Sequence, residues 1–583
     1  MVERRAYGAL LNASYLSAGP CHHPRAPSCV ASEPGTGPGD ILPAGVAKWL
    51  RASPSYPLLL RMAASGAPLH YVEGRWPQGE SDNRVPMEHA DEIDAQIQAE
   101  VQRGWLVPVD EGVLQVANAP LQTALEPTKV RRITDYSNRV HGRRTGMNSL
   151  VDMDALGEAP MQRSRELAKA VRLLKGRHGV PPVLLVRDVS KAFRRIGVCK
   201  HDATSLRVRW RGQDYMDTRL PFGHAASAHL CCKLTTAVAE SVTARFPGEA
   251  EVLAYVDDFI LVAAPHVAAE VERVFDTVMY EVGLPMSESK ATEAGTWSTQ
   301  ATWIGFVHDT VACTHALPTG KKAEVQQLMR DMQSSVSAQG CVPRQTLERL
   351  VGKLSHVASV FTVGRAFLTA VYTDLVDAGR EVRLSEASTQ DLAWWATALD
   401  KLPDQAAMRK APSPWDMAMI TDASLSGQGI ALFQTLKAAL KSDLTGLRDA
   451  AYGPVLPRGV PGDMTWLESV AVLSAVSQWG PLFKGSTGYI VVDNEPLEWA
   501  WKKGRSKSAR VNEVLRVILL KLLELDAQIF PVRVQSKDNI VADVLSRRFE
   551  PGGSPFPQWL SRCCPRRLPL VTRVQGDPCP SWL

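Results

Sequence analysis

Two apolar runs, Val252-Leu253-Ala254 and Phe259-Ile260-Leu261-Val262, flank the tetrad Tyr255-Val256-Asp257-Asp258. The pattern predicts strand, acidic turn, strand. Tight hairpins usually carry Asn-Gly or Asp-Gly at the tip, because primed turns need positive φ; this turn has no glycine. Upstream, the apolar strand pattern of Pro182-Val183-Leu184-Leu185-Val186 ends in Arg187-Asp188 and runs into Val189-Ser190-Lys191-Ala192-Phe193. Between these segments, Arg219-Leu220-Pro221-Phe222-Gly223-His224 reads as a turn entering the small-residue stretch Ala225-Ala226-Ser227-Ala228. Residues 318 to about 410 are helical by periodicity, with Leu347, Leu350, Val351 and Leu354 on one face.

Further on, Met417-Ala418-Met419-Ile420-Thr421 predicts a strand running into Asp422, then a glycine-bearing hairpin through Gly427 and Gly429. Thr465-Trp466-Leu467-Glu468 opens a predicted helix, with Thr465 as cap and Glu468 at capping-box spacing. Tyr489-Ile490-Val491-Val492 is another strand ending in an acid, Asp493, and a helix is predicted over 511–525. Asn539-Ile540-Val541-Ala542-Asp543 follows. The first 85 residues are rich in Pro, Gly, Ala and Ser and are expected to be flexible.

The candidate chemistry lies in the acids at the strand ends. Carboxylates at the tip of a buried hairpin are costly unless a cation neutralises them, and a divalent metal with oxygen ligands does so. Composition adds little: 583 residues imply several domains, and 45% hydrophobic with 22% charged is ordinary globular material. A net charge of +5 is only mildly basic, so binding a polyanion would need local clusters. Arg131, Arg132, Arg139, Arg143 and Arg144 form one, and Lys502, Lys503, Arg505, Lys507 and Arg510 another. The ten cysteines show no zinc-ribbon spacing, and Cys21-His22-His23 with Cys29 matches no zinc knuckle. A reduced, soluble, intracellular protein in cytoplasm or nucleus is expected, since no stretch reaches the roughly 18 apolar residues of a membrane span.

In the order Asp188 strand, Leu220-Pro221-Phe222-Gly223 turn, Tyr255-Val256-Asp257-Asp258 hairpin, the chain resembles retroelement reverse transcriptases. The resemblance implies a right-hand polymerase palm and fingers with a helical thumb and connection, an α+β multidomain architecture. It implies that Asp188, Asp257 and Asp258 hold two Mg²⁺ ions, or Mn²⁺ in their place, with the Val189 carbonyl as a further ligand. Lys129-Val130-Arg131-Arg132 is similar to the finger strand that grips the triphosphate, with Arg131 the better match and Lys129 the weaker. Phe193 occupies the place of the aromatic gate that selects dNTPs. Gly223 and Lys290 fall in nucleotide-binding segments, and Thr302-Trp303-Ile304-Gly305-Phe306 is similar to the primer grip, with Trp303 and Gly305 its residues.

Asp422, Glu468, Asp493 and Asp543 reproduce, in order, the four-carboxylate pattern of retroelement ribonuclease H, an α/β domain that would bind two metal ions and cleave the RNA of an RNA–DNA hybrid. Many retroviral relatives carry a His shortly before the last Asp; here Arg533, Gln535 and Lys537 occupy that neighbourhood. Leu350-Val351-Gly352-Lys353-Leu354, Gly364-Arg365-Ala366-Phe367-Leu368 and Asp391-Leu392-Ala393-Trp394-Trp395 resemble DIRS-like retrotransposons, with gypsy-like elements as the near alternative. The expected division is a flexible 1–85, fingers and palm at 86–317, helical thumb and connection at 318–412, ribonuclease H-like domain at 413–548 and a tail at 549–583. The expected partners are an RNA template, a DNA primer, RNA–DNA hybrid and dNTPs, with no membrane; an element-encoded recombinase or integrase would be a separate protein. Two rival readings stand beside this one: a catalytically inactive or domesticated nucleic-acid-binding protein, and an active polymerase with an inactive ribonuclease H.

Overall fold

The structure, a computed structural model, describes residues 39–568 apart from 73–75, 78, 115, 127–128, 139–145, 287–295, 377–378, 402–404, 409–412, 456–462, 550–555 and 562–564. Lys290, Arg139, Arg143, Arg144 and the Cys21–Cys29 cluster therefore lie outside the described residues, as does the side chain of Lys129. The chain is a mixed helix-and-sheet protein of two compact units. One comprises the described residues up to Ile304 with His308–Cys313, the other Gly305–Val307 and the described residues from Thr314 on. Among the described residues no helix is long and apolar enough to cross a membrane. The described cysteines Cys199, Cys231, Cys232, Cys313 and Cys341 are free thiols.

In the first unit, β1 (Leu121–Glu126) and β2 (Lys129–Thr134) form an antiparallel ribbon. The core of the unit is a three-stranded antiparallel sheet. Its middle strand β5 (Asp258–Ala263) pairs with β3 (Val183–Asp188) on one side and β4 (Ala250–Tyr255) on the other. Helices α1 (Ser164–His178), α2 (Ala225–Thr243) and α3 (Ala268–Val282) cover it. Phe259 through Ala263 are all buried, so β5 reads as a continuous apolar run because it is covered on both faces.

In the second unit, α4 (Thr319–Gln339), α5 (Arg344–Val357) and α6 (Glu386–Lys401) pack around Leu347, Leu350, Val351 and Leu354, the predicted apolar stripe. A six-stranded sheet follows, built from β6 (Ala418–Ala423), β7 (Gly427–Phe433), β8 (Leu447–Pro454), β9 (Thr487–Val492), β10 (Gln528–Arg533) and the short β11 (Arg566–Arg567). Their spatial order is β10-β9-β6-β7-β8-β11. Helices α7 (Met464–Trp479) and α8 (Ala509–Glu524) share one core with Met419, while α9 (Ile540–Ser546) shares another with Ala418 and Ile420. The alternation along β6 thus buries both of its faces.

The segments Gly364–Leu368 and Asp391–Trp395 meet α8. Trp395 Nε1 donates to the Phe367 carbonyl at 3.1 Å, and the Phe367 and Trp394 rings stack at 3.8 Å. Arg516 binds buried Asp391 at 2.7 Å, and both Asn512 and Arg516 donate to the Ala366 carbonyl at 3.1 Å. A Cβ on Gly364 would lie 2.3 Å from the Trp395 ring. These residues are a packing clamp that joins the helices to the sheet within one unit.

Candidate active sites

The β4–β5 hairpin turns in two residues, with Tyr255 paired to Asp258 and Val256-Asp257 between them. Val256 takes φ +56°, a left-handed conformation that a β-branched residue adopts only at a cost of about 1–3 kcal/mol. The missing glycine is therefore a real strain and not a different turn. The Val189 amide donates to the Asp257 carbonyl at 3.1 Å, tying the tip to the chain leaving β3. Register places Asp188 directly opposite Asp258. Carboxylate oxygens of Asp188, Asp257 and Asp258 all lie within 4.8 Å of one another. Three acids this close fit a divalent ion with oxygen ligands.

Around this cluster, Val189 is buried, and Phe193 packs in tilted contact with Phe222 at 5.0 Å between centroids. Gly223 has φ +89°, and a Cβ there would sit 2.2 Å from the Thr134 carbonyl of β2. The turn is glycine because it is pressed against that strand. Asn148 braces it, donating to the Gly223 carbonyl and accepting from the Ala225 amide, both at 2.8 Å. His224 caps α2: its Nδ1 accepts from the Ala226 amide at 3.2 Å, leaving Nε2 to donate to Tyr71 Oη at 2.9 Å. Burial lowers the His224 pKa to about 4. Neither Asn148 nor His224 stood out in the sequence, although a polar residue between Gly223 and an alanine-rich helix is a cap signal.

One expectation is corrected here. Arg132 is not available to phosphate: it binds Glu100 at 2.8 Å in a network with buried Arg194, which also holds Asp217 at 2.8 Å. Arg131, on the other face of β2, is exposed. Trp303 is only 1% exposed, its side chain part of the core. Gly305 has φ +79°, and a Cβ there would meet His356 Nε2 at 2.8 Å.

The second set sits at the C-terminal ends of parallel β6 and β9, a common place for ligand sites in such sheets. Asp422 is the penultimate residue of β6 and Asp493 follows β9. Gly427 and Gly429 serve close approach and not the turn: Cβ atoms there would lie 2.2 Å from the Ser546 and Ala542 carbonyls, so glycine lets α9 lie across the hairpin. Ser546 Oγ then donates to Asp422. Thr465 is not the cap of α7; Asp463 is, accepting from the Thr465 amide at 2.9 Å, which frees Glu468 from a capping role. Glu468 accepts instead from Asn494 Nδ2 at 3.2 Å. Asp543 is held by Arg547 at 2.7 Å, and Arg533 pairs with Glu495 at 2.7 Å.

Burial, then the Asp493 and Asp422 charges, push the Glu468 carboxyl up to about 9. Burial raises Asp422 to about 7, with the Ser546 hydroxyl opposing and Asp493 and Asp543 adding. Glu468 Oε2 and Asp493 Oδ1 are buried without a hydrogen-bond partner, so the pair lacks one cation or one proton. The four acids are a looser set than the first, since no three of them bring ligand atoms within 4.8 Å of one another.

No protein-family model matches the chain, and no curated protein is significantly similar to it. Among solved structures, it is similar to a foamy viral protease-reverse transcriptase in complex with RNA/DNA hybrid, at 15% identity and TM-score 0.44, over 92% of this chain and 66% of that one. The same viral protein in complex with dsDNA is matched over 84% of this chain and 97% of that one, at 15% identity and TM-score 0.42.

Proposed function

We propose that this chain is an RNA-directed DNA polymerase with a second, ribonuclease H-type site, copying retroelement RNA into DNA. The observation that carries the reading is the convergence of Asp188, Asp257 and Asp258 within 4.8 Å on paired strands, with the Gly223 turn that packs on β2 lying between Asp188 and Asp257 in sequence. Asp188, Asp257 and Asp258, with the Val189 carbonyl, would hold Mg²⁺. Bound there, divalent ions would activate a primer 3′-hydroxyl and stabilise the leaving pyrophosphate. The strained Val256 turn and the Val189–Asp257 hydrogen bond hold the acids in place before substrate arrives. Phe193, braced by Phe222, is the residue we assign to exclusion of a 2′-hydroxyl, and Arg131 to the triphosphate. Asp422, Glu468, Asp493 and Asp543 are assigned to hydrolysis of the RNA strand. The DIRS-like affiliation rests on the quoted sequence segments alone.

The test is Mg²⁺-dependent extension of a DNA primer on an RNA template, with template cleavage followed in the same reaction. Asp257→Asn is expected to abolish extension only, and Asp422→Asn cleavage only. Wild type that binds the hybrid but neither extends nor cleaves it would overturn the enzyme reading in favour of a binding protein. A second reading, polymerase active and ribonuclease H inactive, is favoured by the looser second acid set; extension without cleavage would establish it.

A further inference from the structure

Away from both acid sets, His178, Glu249 and His266 bring one ligand atom each within 4.8 Å of one another. His178 is the last residue of α1, Glu249 immediately precedes β4, and His266 lies in the turn between β5 and α3. The Ala264 amide donates to the Glu249 carbonyl at 2.9 Å, so the trio sits at the open end of the β4–β5 hairpin whose closed end carries Asp257. The two ends are separated by about five residue rises, roughly 17 Å.

The distances are informative. His178 Nε2 is 3.3 Å and His266 Nε2 is 3.2 Å from the same oxygen, Glu249 Oε2. Ligands at about 2.0–2.1 Å from a tetrahedral zinc ion stand ~3.3 Å apart. Glu249 Oε2 is buried and has no hydrogen-bond partner despite the two nitrogens beside it, so these are close contacts without hydrogen-bond alignment. His178 Nε2 also lies 3.1 Å from the Gly248 carbonyl. That contact competes for the nitrogen: as an N–H donor it offers no lone pair. The His266 side chain is 63% exposed, which leaves room for a water as a fourth ligand.

We infer that His178, Glu249 and His266 form a binding site for a divalent ion that favours imidazole, zinc foremost, which staples α1, β4 and the β5–α3 turn together. Two imidazoles and one carboxylate suit zinc far better than Mg²⁺, which prefers all-oxygen shells. The site would act on the rigidity of the sheet that carries Asp188, Asp257 and Asp258, and its existence does not depend on the polymerase reading.

The experiment is calorimetric titration of the metal-free full chain with ZnCl₂ in excess Mg²⁺, with Co²⁺ absorption as a report on ligand type. Wild type is expected to bind zinc at a site weakened at least tenfold by His266→Gln and by Glu249→Gln. The Co²⁺ spectrum of that site should lack thiolate charge-transfer absorbance. His266 is exposed, so His266→Gln should melt like wild type in EDTA. Equal zinc affinity in wild type and His266→Gln, or a cobalt spectrum with thiolate absorbance unchanged in that variant, would overturn the site and leave the trio an ion-pair cluster.

Discussion

Asp188 stands directly opposite Asp258 across the β3–β5 ladder, a placement of like charges that disfavours the folded sheet. A site that is costly without its cation should be stabilised by it. Mg²⁺ is therefore expected to raise the melting temperature of wild type, and Asp188→Asn to reduce that rise while leaving stability in EDTA equal or higher. Thermal melts with and without Mg²⁺ check this independently of any polymerase assay. A variant that unfolds in EDTA would show that the acid has a structural role instead.

Gly223 meets the Thr134 carbonyl too closely for any side chain. Gly223→Ala is expected to lower stability by about 1–3 kcal/mol and to reduce primer extension, because the turn would pull away from β2. Urea denaturation with parallel extension assays measures both, and an unchanged midpoint would show that the two strands do not need this contact.

His224 makes the fold acid-sensitive. Its pKa falls from 6.5 to about 4 on folding because it is buried, so the unfolded chain takes up the proton first. The stability it contributes is complete above pH 6.5 and is lost as pH falls toward 4, reaching about 3 kcal/mol. Protonation at Nδ1 also removes the acceptor that caps α2. His224→Asn keeps a capping oxygen without the titration. The difference between wild type and variant in urea midpoints should narrow or reverse between pH 7 and pH 4.5; a pH-independent difference would exclude the mechanism.

Glu468 and Asp493 each bury an oxygen without a partner. With its carboxyl pushed up to about 9, Glu468 must take up a proton on folding at neutral pH in the metal-free protein, which costs stability. Glu468→Gln supplies an amide donor with no proton to take up, so in EDTA at neutral pH the variant should be more stable than wild type by about 1–2 kcal/mol and inactive in hybrid cleavage. Denaturant melts in EDTA and a cleavage assay decide it. Equal or lower stability would mean that folding at neutral pH does not force a proton onto Glu468.

Much of this site was legible in one dimension. An apolar run ending in Asp188 and the Tyr255–Asp258 tetrad between two apolar runs could only be strands with acids at their ends, because period and hydrophobicity are local properties. The strands bearing Asp422 and Asp493 were readable for the same reason. Local pattern also misled: Thr465 and Glu468 have capping-box spacing, yet Asp463, two residues before Thr465, takes the cap and leaves Glu468 facing Asn494. Arg131 and Arg132 looked alike as neighbours in a basic run, and only strand alternation and Glu100, remote in sequence, separated the exposed one from the one held inside.

The sequence by itself determined the strands that carry the acids and which acids stand at their ends, since those follow from side-chain chemistry a few residues apart. It missed the helices Pro43–Trp49 and Tyr56–Ser65, in a stretch expected to be flexible, because Val46, Leu50, Leu59 and Met62 are ordered by packing into the core of the first unit. Only the tertiary structure decided that Asp188 faces Asp258, that Gly427 and Gly429 make room for α9, that Trp303 is core, and that His178, Glu249 and His266 meet. Those facts depend on register and on close approach between segments distant along the chain, and packing, not local pattern, sets both.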